Sequence, residues 1–178
     1  ERRDHMMRRK IYVALIISIC FLLQSTLFQT LSIASISPNL LIVVTSSFGF
    51  MRGRKEGMWI GFFSGLLLDI FFGSVIGFYA MIYSCIGYVN GFFRKWFFPD
   101  DIKLPLALIA ASDFSYSMLV YLFLFFLRGK LQFVYYLLHI MLPELVYTIL
   151  VTVILYFIIL KINQKLEKIE KRSATKFV

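Results

Sequence analysis

The sequence predicts an all-α polytopic membrane protein of about six transmembrane helices. Hydrophobic residues make up 60% of the 178, mean hydropathy is +0.79, and basic residues gather in short clusters between long apolar runs. Soluble domains are roughly 45 to 50% apolar, and a helix needs about 20 mostly apolar residues to cross the hydrocarbon core. Six short-looped helices therefore account for nearly the whole chain as one membrane domain, residues 6–160, followed by a basic tail, 161–178. Glu1 to His5, ahead of Met6 and Met7, reads as an appended segment foreign to the native chain. The first apolar run is long enough to span and lacks a small-residue cleavage site after it, so it is expected to be retained as a helix.

The spans are expected at 11–28, 38–51, 57–72, 76–93, 104–127 and 143–160. Arg8, Arg9 and Lys10 precede the first, and Thr30 to Ser37 form a polar break after it. Ser37 and Pro38 suit a cap and first turn for the second, which ends at Arg52, Arg54, Lys55 and Glu56. The third turns through Gly73 to Gly77 into the fourth, and so short a connection forces an antiparallel pair. Arg94 to Lys103 form a polar loop before the fifth span, which Arg128, Gly129 and Lys130 close. Leu131 to Leu160 is too long for one upright crossing. Pro143, which removes a backbone donor, is expected to divide it into an interfacial segment and a sixth span.

With both termini in the cytoplasm, 17 of the 19 lysines and arginines lie on the inner side, leaving only Arg128 and Lys130 outside. The positive-inside bias therefore favours six spans over five or seven. Trp59 and Trp96 then fall near the inner interface, where indole rings are enriched. The net charge of +9 is read as topology and attraction to anionic lipid, and nucleic acid is not expected as a partner. Cys20 and Cys85 sit in apolar runs and have no spacing that suggests a disulfide framework or a metal site. The tail carries Ile162, Leu166 and Ile169 at helical spacing, so the last helix is expected to continue into the cytosol.

Glycine recurs at 53, 57, 61, 65, 73 and 77, and Asp69 fills the one gap in that period of four. Gly87 and Gly91 repeat the spacing in the fourth span. Small-residue stripes let helix backbones approach closely in lipid, which serves either packing within the chain or a subunit interface, a homodimer included. Asp69, Asp113 and Glu144 each cost at least about 2 to 3 kcal/mol at mid-depth unless paired or neutralised. At about 1.5 Å per residue, Asp69 and Asp113 are expected near the bilayer centre and able to share a site, with Glu144 in the outer third. Asn90, Ser112, Ser115, Tyr116 and Tyr79 are candidate partners for the aspartates, and Arg128 or Lys130 for Glu144. A structural network, proton or solute handling, and an aspartyl protease dyad are the uses such carboxylates allow. The residues around the aspartates lack the glycine that precedes an intramembrane protease aspartate, and Ser64 has only His139, at an interfacial position, as a basic partner. No phosphate loop, metal-spaced histidine pair or dinucleotide fingerprint occurs, so no catalytic residue, cofactor or metal is expected.

The Pro38–Asn39 opening, the Arg52 to Lys55 loop and GFFSGLLLDIFFGSVIGFYA from Gly61 to Ala80 together resemble the MreD family of rod shape-determining membrane proteins. Gly61, Gly65, Asp69, Gly73 and Gly77 carry the pattern, and Asp113 matches a position where such proteins often have aspartate. The resemblance implies a non-catalytic component of the bacterial elongation machinery in the cytoplasmic membrane. Its implied partners are single-span MreC, the MreB cytoskeleton and the peptidoglycan synthases of lateral wall growth. It also implies a fold similar to the substrate-binding subunits of energy-coupling-factor vitamin transporters, which supplies an alternative function. A departure is that the outer loops are very short, so an extracytoplasmic partner would meet membrane helices or the Arg128 to Leu142 segment. On this reading the glycine-striped hairpin offers a partner helix a close-packing groove, with Asp69 fixing the hairpin.

Overall fold

The computed structural model describes residues 2–27, 30, 36–125, 128–129 and 132–175, and among them the chain is a bundle of six helices. These are α1 (Arg2–Leu22), α2 (Leu40–Arg52), α3 (Arg54–Phe72), α4 (Phe78–Asn90), α5 (Lys103–Leu124) and α6 (Leu142–Thr175). The polar break expected at Thr30 to Ser37, the far ends of the spans expected at 11–28 and 104–127, and Lys130 and Lys176 lie wholly or partly outside the described residues. Three stretches are long and apolar enough to cross a membrane: Met7–Thr26, Lys103–Leu124 and Phe133–Lys171. With 60% hydrophobic residues along the chain, they make this an all-α polytopic membrane protein.

The shortest helices lie inside the bundle. Every residue of α2 from Leu40 to Met51 is buried, as expected of a helix that is apolar all round. At 13 residues it is about 20 Å long, less than the roughly 30 Å hydrocarbon thickness. Protein covers the extended backbone at its start, and non-helical backbone is tolerated at membrane depth only under such cover. α2 does not start on the expected Ser37 cap. Asn39 is the cap instead, its side chain accepting from the Ile42 N–H at 3.3 Å. The same Asn39 oxygen also accepts from the Tyr83 hydroxyl at 2.8 Å.

α2 and α3 are joined by Gly53 alone, whose φ of 108° lies where side chains are disfavoured. α3 begins at Arg54, three residues before the expected span, because the basic loop is itself helical and Glu56 sits in its favourable first turn. α4 ends at Asn90 and continues as a 3-10 segment, Gly91–Trp96. The interfacial break expected at Pro143 does not form. A helical turn, Phe133–Tyr136, a π-helical segment, Leu137–Met141, and α6 run on without interruption. The wider π turn ahead of Pro143 accommodates its ring and missing donor, so the helix continues where it was expected to end.

The glycine stripe closes the α3–α4 hairpin. A Cβ placed on Gly57, Gly61 or Gly65 would come within 3.0 Å of backbone atoms of Gly87, Tyr83 and Ala80, respectively, all on α4. Gly49 of α2 meets the same seam, its own Cβ position lying 2.8 Å from the Gly87 carbonyl oxygen. The hairpin thus consumes the groove that the stripe was expected to offer a partner. Asp69, 1% exposed, locks the turn. Its carboxylate accepts from the backbone N–H groups of Gly77, Tyr79 and Ala80 at 2.9 to 3.0 Å. A carboxyl group there satisfies orphan donors at the start of α4, the positive end of its dipole.

At the end of the bundle where the basic residues gather, four helices are tied by charge. Glu170 on the charged extension of α6 pairs with Arg52 of α2 at 3.0 Å and with Arg9 of α1 at 3.1 Å, and Arg9 also reaches Glu56 of α3 at 3.0 Å. Arg52 further donates from Nε to Asn163 at 2.5 Å. Burial resists ionisation of Glu170, but the hydrogen bonds and charges of Arg52 and then Arg9 outweigh it and hold the carboxyl below its ordinary range. A depressed carboxyl stabilises the fold above its unfolded value of about 4.3 and loses that contribution as pH falls through the folded value.

Two predictions follow from this packing. Gly65→Leu should abolish monodisperse folded protein in gel filtration, since the obstructing atoms are backbone and overpacking alone costs about 1 to 3 kcal/mol; unaltered elution would contradict the seam. Glu170 is partly solvated, so Glu170→Gln should lower the thermal midpoint at pH 7 by only about 1 to 3 °C. The variant should also lose less stability than the parent between pH 6 and pH 3.

Candidate functional site

The chemistry available to this chain is concentrated where α2, α4, α5 and α6 meet. Within apolar helices, polar residues four apart share a face, and two such rows point inward here: Asp113 with Ser117 on α5, and Glu144, Thr148 and Thr152 on α6. Asp113, Ser117, Thr148 and Thr152 are all buried. Asn39, at the start of α2, ties the rows together. Its backbone N–H donates to Thr148 Oγ1 at 3.1 Å while its side-chain oxygen accepts from Tyr83 of α4. Thr152 in turn donates to the Thr148 carbonyl at 2.6 Å.

Asp113 lies at the centre of this network and is 1% exposed. Thr148 and Asn39 approach its carboxyl group, yet neither meets its oxygens with hydrogen-bond geometry, and both oxygens are without a bonded partner. Glu144 is its electrostatic neighbour from α6 and has the Ser117 hydroxyl beside it. Asp69 and Asp113, expected to be able to share a site, have different surroundings: Asp69 is held by the α4 backbone, and Asp113 feels the charge of Glu144. Of the ion pairs among the described residues, none joins Glu144 to its expected partner Arg128. The other expected partner, Lys130, lies outside the described residues.

A second, smaller cluster surrounds Asn90, whose amide donates to Ser112 Oγ at 2.7 Å and to the Ile86 carbonyl at 2.9 Å. Ser115 takes no part, donating instead to its own helix at Ala111. Tyr79 and Tyr116 line a cavity of about 180 Å³ with Gln24, Ser25 and Ser37, at the end away from the basic residues. Small-molecule sites usually occupy about 300 to 1,000 Å³, so this cavity is small for a vitamin. An aspartyl dyad is not assembled either, because the Asp69 oxygens are occupied by the α4 backbone. His139 is exposed and stacks on Tyr135 at 4.2 Å between ring centroids. Among the described residues no three of His, Cys, Asp and Glu come together as a metal site.

Of the stripe residues, Gly61, Gly65 and Gly87 lie in the seam, and Gly91 closes on Arg54 and Gly53. Gly73 folds back on Asp69, and Gly77, with φ of 101°, starts α4 in open space. Gly49, Ser117, Thr148 and Tyr83 belong to the seam or the network and were not singled out by sequence. The four-residue spacing of polar groups on α5 and α6 was the signal that marked two of them.

No curated protein and no solved structure matches the chain. The family model of rod shape-determining protein MreD matches residues 7–166, taking in the hairpin, the network and at least part of each of the six helices. With most of its length covered, including the glycine and aspartate pattern that shapes the hairpin, the chain belongs to the MreD family.

Proposed function

We propose that this chain is a non-catalytic membrane scaffold of the bacterial elongation machinery, and that it binds the single membrane span of MreC and, through that complex, enzymes of lateral wall synthesis. Family membership gives it a role in rod shape determination. The six helices cross the cytoplasmic membrane with both termini inside. Residues 6–160 form the single membrane domain, and 161–178 form a basic cytoplasmic tail placed to meet anionic lipid and MreB. The charged ties among Arg9, Arg52, Glu56 and Glu170, all at one end, support that orientation.

The observation that carries the partner reading is a groove of about 800 Å³ between α1 and α3, open on its outer side. Its walls are apolar along several helical turns, with Val13, Ala14 and Ile17 facing Ile60, Phe63 and Leu67, and Arg9, Glu56 and Trp59 at its polar end. Lipid supplies no hydrophobic force between helices, so a partner span is held by shape and close packing. A lengthwise groove ending in ion-pairing groups suits one apolar helix with a charged inner end. The glycine stripe, spent within the hairpin, holds α3 in place as one wall.

Filling the groove with Ala14→Trp should reduce MreC recovered by co-purification about tenfold, the equivalent of roughly 1.4 kcal/mol of lost packing. Ile154→Trp on the open face of α6, where Ile154 is 70% exposed, should leave recovery unchanged. Equal recovery with both variants would remove the groove from the account. Asp69→Asn keeps one acceptor for three donors and should weaken the fold by about 1 to 3 kcal/mol. Because it leaves the groove lining intact, MreC recovered per folded molecule should not fall.

A further inference from the structure

One wall of the α1–α3 groove is held unevenly. Among the described residues of α1, burial begins at Ile17 and recurs at Cys20 and Phe21, while Lys10 and Ala14, nearer the basic end, are exposed. Packing therefore fixes only the half of this wall that lies away from the basic residues. The position of the other half depends on what Arg9 holds.

Arg9 divides its guanidinium between carboxylates on two other helices. Nη2 meets Glu56 of α3 at 3.0 Å, and Nη1 meets Glu170 on the charged extension of α6 at 3.1 Å. Arg9 and Glu56 both line the groove, and Glu170 is not among the lining residues. Glu170 is placed instead by the seating of the extension. It follows Asn163 and Leu166, both buried, along one face of the helix, and both its oxygens accept from Arg52 Nη1, at 3.0 and 3.2 Å.

A guanidinium that gives one nitrogen to each of two carboxylates makes a single bond with each. Released from one, it can fork both nitrogens onto the other, which is the stronger geometry. Without Glu170, Arg9 is left to clasp Glu56 in this way, drawing the two walls together at the polar end of the groove.

We propose that Glu170 regulates the α1–α3 groove from outside it: while the α6 extension is seated, Glu170 keeps Arg9 from closing on Glu56, and when the extension lifts, the groove narrows against a partner helix. Glu170 is thus a positioning residue that acts through Arg9. The inference rests on the groove being the seat of the MreC span. Because such coupling is reciprocal, a helix in the groove also holds the extension down.

The test uses the full chain in lipid nanodiscs, with MreC recovery read per folded molecule. Glu170→Gln should lower recovery about threefold, on the scale of ion pairs this exposed. In a Glu56→Gln background the same substitution should cost nothing, because Arg9 has no carboxylate left to close on. A merely structural contribution from the extension would cost the same in both backgrounds. In the unaltered chain, bound MreC should slow backbone hydrogen exchange from Asn163 to Glu170 by about the same threefold. Ala14→Trp separates the two readings. If it leaves recovery unchanged, the groove reading fails and takes the coupling with it. If Ala14→Trp lowers recovery while Glu170→Gln costs nothing, or costs as much without Glu56 as with it, or if exchange in the extension ignores MreC, the coupling is overturned and the groove stands.

Discussion

The burial of α2 on every side is the constraint from which the rest of the structure follows. A helix surrounded by protein within a membrane has no water and no lipid headgroup to satisfy its polar ends, so its neighbours must do so. Tyr83 and Thr148 hydrogen-bond to Asn39 at one end, and Arg52 at the other reaches Asn163 and Glu170 of α6. Length is relaxed for α2 because other helices, and not lipid, enclose it. Length and apolarity sufficient for crossing are correspondingly found within the stretches Met7–Thr26, Lys103–Leu124 and Phe133–Lys171.

Enclosing a helix so completely requires some neighbours to come closer than ordinary side chains permit. Glycines at 49, 57, 61, 65 and 87 bring the backbones of α2, α3 and α4 together, and Asp69 fixes the turn that sets the register of α3 against α4. In water, packing of this kind is helped by hydrophobic burial. In lipid, it rests on van der Waals contact and on polar groups that would otherwise go unsatisfied. The glycine stripe and the carboxylate within it are thus two parts of one device, the first permitting the approach and the second locking it.

Much of this was legible in the sequence. Apolar length and the placement of lysine and arginine were enough for the fold class, and the period-four glycines with Asp69 were enough for a close hairpin. The pairing of carboxylates was not legible, since depth counted along separate helices places Asp69 and Asp113 level without saying which way either faces. Asp69 turned to the backbone of its own hairpin, a use that depends on φ at Gly77 and not on depth. The course of the chain at Pro143 was not legible for a different reason. Pro143 was read as a break, whereas a π turn just before it lets the helix continue, and π turns leave little mark in a single sequence. Ser37 was preferred over Asn39 as the α2 cap because serine followed by proline fits a helix start, but the demands of Tyr83 and Ile42 fall on an amide that only the folded neighbours reveal.

The enclosure of α2 is open to direct measurement by photolabelling with a lipid-soluble diazirine in bilayers, read out by peptide mass spectrometry. The outward faces of α1, α3 and α6, at residues such as Leu15, Phe62 and Ile154, should be labelled, while the segment from Leu40 to Met51 should remain unlabelled. Labelling of that segment to the same extent as α6 would place it against lipid and contradict the account.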